Sequence, residues 1–113
     1  MTLNVLFVDD EPDLCTFFSE MFSSPDVTIY AFSRTEDVIS ACKTQKFDLG
    51  FFDFRMKTET GDDLALRLKP CFDVYLLSGE LDLKPAFPFT EVLNKPYDNK
   101  KIEAILASRQ IKK

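Results

Sequence analysis

The sequence predicts an α/β protein whose five parallel strands form one doubly wound sheet with helices on both faces. Five short apolar runs, several of them apolar at consecutive positions, are typical of strands buried on both sides of a sheet. The segments between them show helical periodicity, and strands that alternate with helices are joined by right-handed crossovers into a parallel sheet. With 113 residues and 45% hydrophobic content, residues 1–113 are predicted to form a single domain with one core.

The five predicted strands are short, and most of them are rich in β-branched or aromatic residues. In chain order they cover residues 3–8, 27–32, 47–52, 73–77 and 90–93. The functional site of such a sheet is expected at the carboxyl ends of its strands.

The first helix is predicted between the first two strands, with Pro12 near its first turn. Its apolar residues recur at helical spacing and are expected to fill the core: Leu14, Phe17, Phe18, Met21 and Phe22. Ser33 and Glu36 form a capping-box pair that predicts the start of the second helix. Val38, Ile39 and Cys42 then lie on one face of it.

The third helix is predicted to begin near Asp62, which can cap the residues after Gly61. It ends at Pro70 after barely two turns, so it is a shortened helix. The last helix begins after Asp98 and turns three apolar residues inward: Ile102, Ile105 and Leu106.

The acidic balance of the chain argues against a nucleic-acid partner. The net charge is −5, from 19 acidic and 14 basic residues, whereas a nucleic-acid surface needs clustered lysine and arginine. A divalent cation or a basic partner protein suits this charge better.

The three cysteines, Cys15, Cys42 and Cys71, are odd in number, widely spaced and set among apolar neighbours. This pattern indicates neither a disulfide framework nor a zinc site, but small buried residues in a reducing compartment.

The first residues lack both the basic region of a signal peptide and the length of a membrane span. We therefore expect a cytoplasmic protein without a membrane partner.

Acidic residues follow two of the predicted strands. Asp9, Asp10 and Glu11 follow the first strand, and Asp53 follows the third. These carboxylates should meet at one edge of the sheet, where their repulsion is costly unless a cation lies among them. Oxygen ligands without histidine or cysteine favour Mg²⁺ or Ca²⁺ over zinc.

A hydroxyl and an ammonium group are predicted at the same edge. The fourth strand ends at Ser78, next to Gly79, and Lys95 follows the fifth strand. A metal, a lysine, a hydroxyl and a lone carboxylate suit phosphoryl transfer, which requires positioning and compensation of oxygen charge. Asp53 would be the nucleophile.

These residues resemble the pattern of response-regulator receiver domains, the chemotaxis-regulator-like modules of two-component signalling. Four pieces stand in the family's order over the whole chain: Val8-Asp9-Asp10-Glu11-Pro12, Asp53 with Met56 and Gly61, Ser78-Gly79, and Lys95-Pro96. The resemblance implies a flavodoxin-like fold. It also implies that phosphorylation of the protein controls partner binding and that the protein is not a metabolic enzyme.

The resemblance also implies a role for each site residue. Asp9 and Asp10 would position Mg²⁺, with Asp10 and Asp53 as direct ligands and Arg55 contributing its backbone carbonyl. Asp53 would accept the phosphoryl group from a histidine kinase or phosphotransfer protein.

In the phosphorylated form, Ser78 would hydrogen-bond a phosphoryl oxygen and Lys95 would pair with the added charge. The oligomeric state is expected to be a monomer or weak dimer.

The chain departs from the family's usual pattern at several positions. The family usually has proline where Lys57 stands, threonine where Ser78 stands, and a switching aromatic residue where Val92 stands. Pro85 and Pro88 interrupt the segment between the fourth and fifth strands, which predicts a shortened or missing fourth helix.

Alternatives from the same residues remain open. The chain could be a degenerate receiver that acts as a phosphorylation-independent interaction module. The chain could also be a phosphatase of the haloacid-dehalogenase type, but that family needs a second acid two residues after its nucleophile, where this chain has Arg55. The acids after the first strand could be only a helix cap, and Asp53 could be a structural ion-pair partner of Lys95.

Overall fold

A computed structural model describes residues 2–111 and shows a five-stranded parallel sheet with strand order β2-β1-β3-β4-β5. The elements in chain order are β1 (Leu3–Val8), α1 (Pro12–Phe22), β2 (Val27–Phe32), α2 (Thr35–Thr44), β3 (Leu49–Asp53), α3 (Gly61–Leu68), β4 (Asp73–Ser78), β5 (Glu91–Asn94) and α4 (Asn99–Ile111). The predicted doubly wound fold is confirmed. No helix within residues 2–111 is long and apolar enough to cross a membrane.

The sheet separates two apolar clusters because successive strand residues point to opposite faces. On one face, Phe7 and Phe51 pack with residues of α1 and α4, including Phe18 and Ile102. On the other face, Phe52 and its neighbours pack with residues of α2 and α3. All five residues of the central strand β3 are buried, as expected for a parallel strand covered on both sides.

Only part of the predicted apolar face of α1 is buried. Phe18 stacks on Phe7 with ring centroids 4.0 Å apart, and Phe22 is also buried. The prediction that Phe17 fills the core is wrong, because its side chain is 49% exposed, and Leu14 and Met21 are exposed with it. Helical spacing located the apolar stripe, but the buried face of α1 is rotated from it and consists of Cys15, Phe18 and Phe22.

Two predicted helix caps are wrong. Residue Arg34 is the N-cap of α2 and makes no side-chain cap bond, so the capping box of Ser33 and Glu36 does not form. Thr60, rather than Asp62, is the N-cap of α3: the backbone N–H of Asp63 donates to Thr60 Oγ1 at 3.0 Å.

The connection between β4 and β5 contains no helix among the described residues, as the prolines predicted. The carboxylate of Asp62 holds it, accepting the backbone N–H of Ala86 at 2.9 Å and that of Phe87 at 2.8 Å. Phe87 and Phe89, both half-buried, pack edge to face with ring centroids 4.9 Å apart. We call residues 79–90 the β4–β5 segment.

A cavity of about 500 Å³ lies at the amino ends of β3 and β4, at the edge of the sheet opposite the predicted site. Cys42 and Cys71 are among its lining residues. Cys15 is buried and Cys42 half-buried, but Cys71 is exposed, so the prediction that all three are buried is wrong for Cys71. The turn that precedes β4 leaves Cys71 outside both apolar clusters.

Candidate functional site

Three carboxylates meet at the carboxyl edge of the sheet. Asp9 follows β1, Asp53 ends β3, and these two strands are neighbours, with Val8 beside Phe52 in the register. One oxygen from each of Asp9, Asp10 and Asp53 lies within 4.8 Å of the others. Asp9 and Asp53 are buried, whereas Asp10 is partly exposed.

Backbone hydrogen bonds orient two of these acids. The backbone N–H of Glu11 donates to Asp9 Oδ1 at 3.0 Å. The backbone N–H of Lys57 donates to Asp10 Oδ2 at 2.8 Å, which ties the loop after β1 to the loop after β3. The loop around Lys57, where the family usually has proline, is thus fixed to the acidic cluster by its main chain.

Lys95 brings a positive charge to the cluster. Its ammonium group forms an ion pair with Asp53 and lies 4.0 Å from Asp9 Oδ2. The backbone N–H of Lys95 donates to the carbonyl of Ser78 at 2.8 Å, so β4 and β5 hold the lysine in place.

Ser78 lies at the same edge, on the last residue of β4. It is buried, and its Oγ accepts the backbone N–H of Glu80 at 3.0 Å. In the register, the neighbouring Leu77 lies beside Asp53. The structure therefore brings together the carboxylates, lysine and hydroxyl named from the sequence.

The surroundings of the cluster disfavour the ionised form of all three carboxylates together. Burial raises the pKa of Asp9 to about 6, an effect that the charges of Asp53 and Asp10 increase and that the Glu11 N–H and Lys95 oppose. Burial also raises the pKa of Asp53, although its hydrogen bond and charge interaction with Lys95 lower it. One ammonium beside three carboxylates leaves negative charge that a bound cation would compensate, and the donor set fits a hard divalent cation.

Gly61 packs directly against the backbone of Asp53. Its backbone N–H donates to the carbonyl of Phe54 at 2.9 Å. A Cβ at Gly61 would lie 2.4 Å from the carbonyl oxygen of Asp53, so no other residue fits without a backbone shift.

Sequence reasoning missed two features of the site. Arg55 and Glu80 form an ion pair between the loops after β3 and β4. Tyr97 is half-buried beside the cluster, where burial and the charges of Asp9 and Asp53 raise its pKa. Their positions in the sequence, each two residues after a candidate site residue, were the only available signal.

The fold is that of a doubly wound α/β protein, and the acidic pocket at this edge of the sheet has a geometry that could hold a metal ion. The chain belongs to the response-regulator receiver domain family, whose profile matches residues 5–107. Receiver domains are signalling domains of two-component systems rather than metabolic enzymes, and histidine kinases or phosphotransfer proteins phosphorylate them.

Solved receiver domains share the fold at low sequence identity. A CheY-like receiver domain from Methylobacillus flagellatus superposes with a TM-score of 0.85 at 23% identity, covering 96% of this chain and 99% of that chain. A two-component response regulator from Clostridium difficile gives a TM-score of 0.84 at 14% identity, with 98% of each chain covered. A search of curated proteins found no match.

Proposed function

We propose that this protein accepts a phosphoryl group on Asp53 from a histidine kinase or phosphotransfer protein, and that phosphorylation changes which partner it binds. The observation that carries the proposal is the Asp53 carboxylate, which ends the central strand within 4.8 Å of two other carboxylates and pairs with Lys95. We further propose that residues 1–113 act as a single receiver unit in the cytoplasm, consistent with the free state of the three cysteines.

The acidic cluster would hold Mg²⁺ during this reaction. Asp10, Asp53 and the backbone carbonyl of Arg55 would be its direct ligands, and Asp9 would position it. When bound, Mg²⁺ compensates negative charge on the transferring oxygens. Three carboxylates that lie within 4.8 Å of one another and share one ammonium group support the need for a cation.

The transfer itself breaks the nitrogen–phosphorus bond of a phosphohistidine and forms an oxygen–phosphorus bond to Asp53. The imidazole leaves with the bonding electron pair. Lys95, already paired with Asp53, would neutralise part of the added charge. The Ser78 hydroxyl would donate a hydrogen bond to a phosphoryl oxygen, since its present partner, the Glu80 N–H, uses only an acceptor site on Oγ.

Intact-mass measurement after incubation with Mg²⁺ and a small acyl phosphate tests the proposal. We expect one phosphoryl group per chain, which is absent from Asp53→Asn and from samples with excess chelator. Asp37→Asn is a matched control, because Asp37 is an exposed acid in the first turn of α2. Its phosphorylation should equal that of the wild type.

A second candidate function is a phosphorylation-independent interaction module. The missing helix in the β4–β5 segment favours it, because this segment borders Ser78 and leaves Leu81 81% exposed. A folded protein that takes up no phosphoryl group would support this alternative. Multiple turnover of an external phosphate ester would instead contradict both candidates and indicate a phosphatase.

A further inference from the structure

An ion pair joins the two loops that carry the nucleophile and the hydroxyl. Arg55 stands two residues after Asp53, and Glu80 stands two residues after Ser78. Their side chains pair across the gap between the loops. The Arg55 side chain is 78% exposed, whereas the Glu80 side chain is 36% exposed and its paired oxygen, Oε2, is buried.

Glu80 is held at two points. Its backbone N–H donates to Ser78 Oγ at 3.0 Å, and its carboxylate pairs with Arg55, the one cation within ion-pair distance of it among residues 2–111. One of these contacts uses the Ser78 hydroxyl, which is proposed above to bind a phosphoryl oxygen. The first residues of the β4–β5 segment are therefore fastened to the pocket through Glu80.

We propose that Arg55 exchanges partners on phosphorylation, leaving Glu80 and binding the phosphoryl group on Asp53. This inference rests on the proposed function. The ion pair holds the Arg55 guanidinium against Glu80, two residues along the chain from Ser78 at the same edge of the sheet as Asp53. The exchange releases Glu80 and thereby frees the start of the β4–β5 segment.

The relative strength of the two pairings favours the exchange. The Arg55 guanidinium remains exposed to water in its pair with Glu80, which screens its charge and limits the strength of the pair even though Glu80 Oε2 is buried. A phosphoryl group carries up to two negative charges and three acceptor oxygens, and guanidinium binds such groups through paired hydrogen bonds. Arg55 therefore gains more from the phosphoryl group than it loses by leaving Glu80.

Beryllofluoride, which stands in for the phosphoryl group on an aspartate, gives a direct test. Its affinity in saturating Mg²⁺ is measured by calorimetric titration for the wild type, Arg55→Gln, Glu80→Gln and the double variant. Arg55→Gln keeps the backbone carbonyl that is proposed as a metal ligand. Arg67→Gln is the control, since Arg67 pairs at 2.5 Å with Glu59 outside the pocket.

We expect Arg55→Gln to weaken beryllofluoride binding by about tenfold, the loss of one charge-assisted contact. Glu80→Gln should tighten binding by about threefold by removing the competitor for Arg55. In the Arg55→Gln background, Glu80→Gln should have no effect, because the competition no longer exists. Arg67→Gln should match the wild type.

Amide hydrogen exchange provides a second measurement that a purely structural role would not reproduce. Exchange in residues 80–84 should rise when beryllofluoride binds the wild type. Glu80→Gln should show the faster exchange without beryllofluoride.

Two outcomes would overturn the partner exchange while leaving the proposed function intact. Wild-type affinity in Arg55→Gln would show that Arg55 does not bind the phosphoryl group. Equal tightening by Glu80→Gln in both backgrounds would show a general charge effect instead of competition. Absence of beryllofluoride binding to the wild type would overturn the proposed function as well.

Discussion

Gly61 shows how closely the backbone around Asp53 is packed. Because an added Cβ would lie 2.4 Å from the Asp53 carbonyl oxygen, Gly61→Ala must displace the backbone that carries the proposed phosphorylation site. We expect a loss of about 2 kcal/mol in the free energy of unfolding. Urea denaturation checks this value.

Gly79→Ala is the matched control, since a Cβ at Gly79 meets no atom within 4 Å. Its unfolding free energy should stay within about 0.5 kcal/mol of the wild type. If the two variants were equally stable, the packing behind Asp53 would be looser than described here.

The raised pKa of Asp9 predicts a pH dependence of stability in the metal-free protein. Between its ordinary pKa of 3.8 and its folded value of about 6, the folded protein holds a proton that the unfolded chain has released. This contribution to stability is therefore present at low pH and is lost as the pH rises through about 6. Asp53 acts in the same direction, since burial raises its pKa too.

Urea unfolding in chelator across this pH range tests the prediction. Asp9→Asn should show a smaller fall in unfolding free energy with rising pH than the wild type, because it has lost the titrating group. Asp37→Asn should retain the wild-type dependence. Parallel curves for Asp9→Asn and the wild type would contradict the buried, repelled state of Asp9.

At the scale of elements, one carboxylate holds the middle of the β4–β5 segment. Asp62→Ala removes the acceptor of two backbone N–H groups, those of Ala86 and Phe87. We expect a loss of about 2 kcal/mol in unfolding free energy, since each lost hydrogen bond contributes roughly 1 kcal/mol. Amide exchange at Ala86 and Phe87 should accelerate.

Asp37→Ala separates this effect from a helix-dipole effect, because Asp37 is also an acid in the first turn of its helix. It should cost far less than Asp62→Ala. Equal losses of unfolding free energy in the two variants would show that Asp62 acts through the helix dipole and does not anchor the β4–β5 segment.

Each predicted strand has a counterpart in the structure, with ends shifted by at most two residues, because burial on both faces of a parallel sheet leaves continuous apolar runs, as in β3. Helix caps were less predictable. Thr60 and Asp62 are both suitable capping residues, and only the path of the β4–β5 segment decides that Asp62 binds Ala86 and Phe87 instead.

The grouping of Asp9, Asp53 and Lys95 followed from topology, since the carboxyl ends of parallel strands share one edge. The Arg55–Glu80 ion pair did not follow from it. Two long, flexible side chains on separate loops can adopt many rotamers, and the sequence carries no period that relates them.

At the scale of the whole molecule, the acidic cluster couples cation binding to folding. Mg²⁺ that binds the folded cluster and not the unfolded chain should raise the free energy of unfolding by about 1.4 kcal/mol at ten times its dissociation constant. For a chain of this size, the melting temperature should rise by roughly 5 °C. Thermal unfolding at increasing Mg²⁺ concentrations measures both.

Asp10→Ala should abolish this Mg²⁺ dependence, although it also removes the bond from the Lys57 N–H and so lowers stability without metal. Asp37→Ala should keep the full dependence. A melting temperature that rises equally in Asp10→Ala would place the cation elsewhere.

The cavity at the amino ends of β3 and β4 makes the protein suitable for site-selective labelling. Cys71 is exposed, Cys42 is half-buried, and Cys15 is buried with its pKa raised to about 11, so a maleimide dye should attach to Cys71 first. The strand β4, 6 residues and about 20 Å long, begins two residues after Cys71 and ends at Ser78. A fluorophore on Cys71 would therefore lie at the opposite edge of the sheet from the proposed phosphorylation site and should not disturb the reaction there.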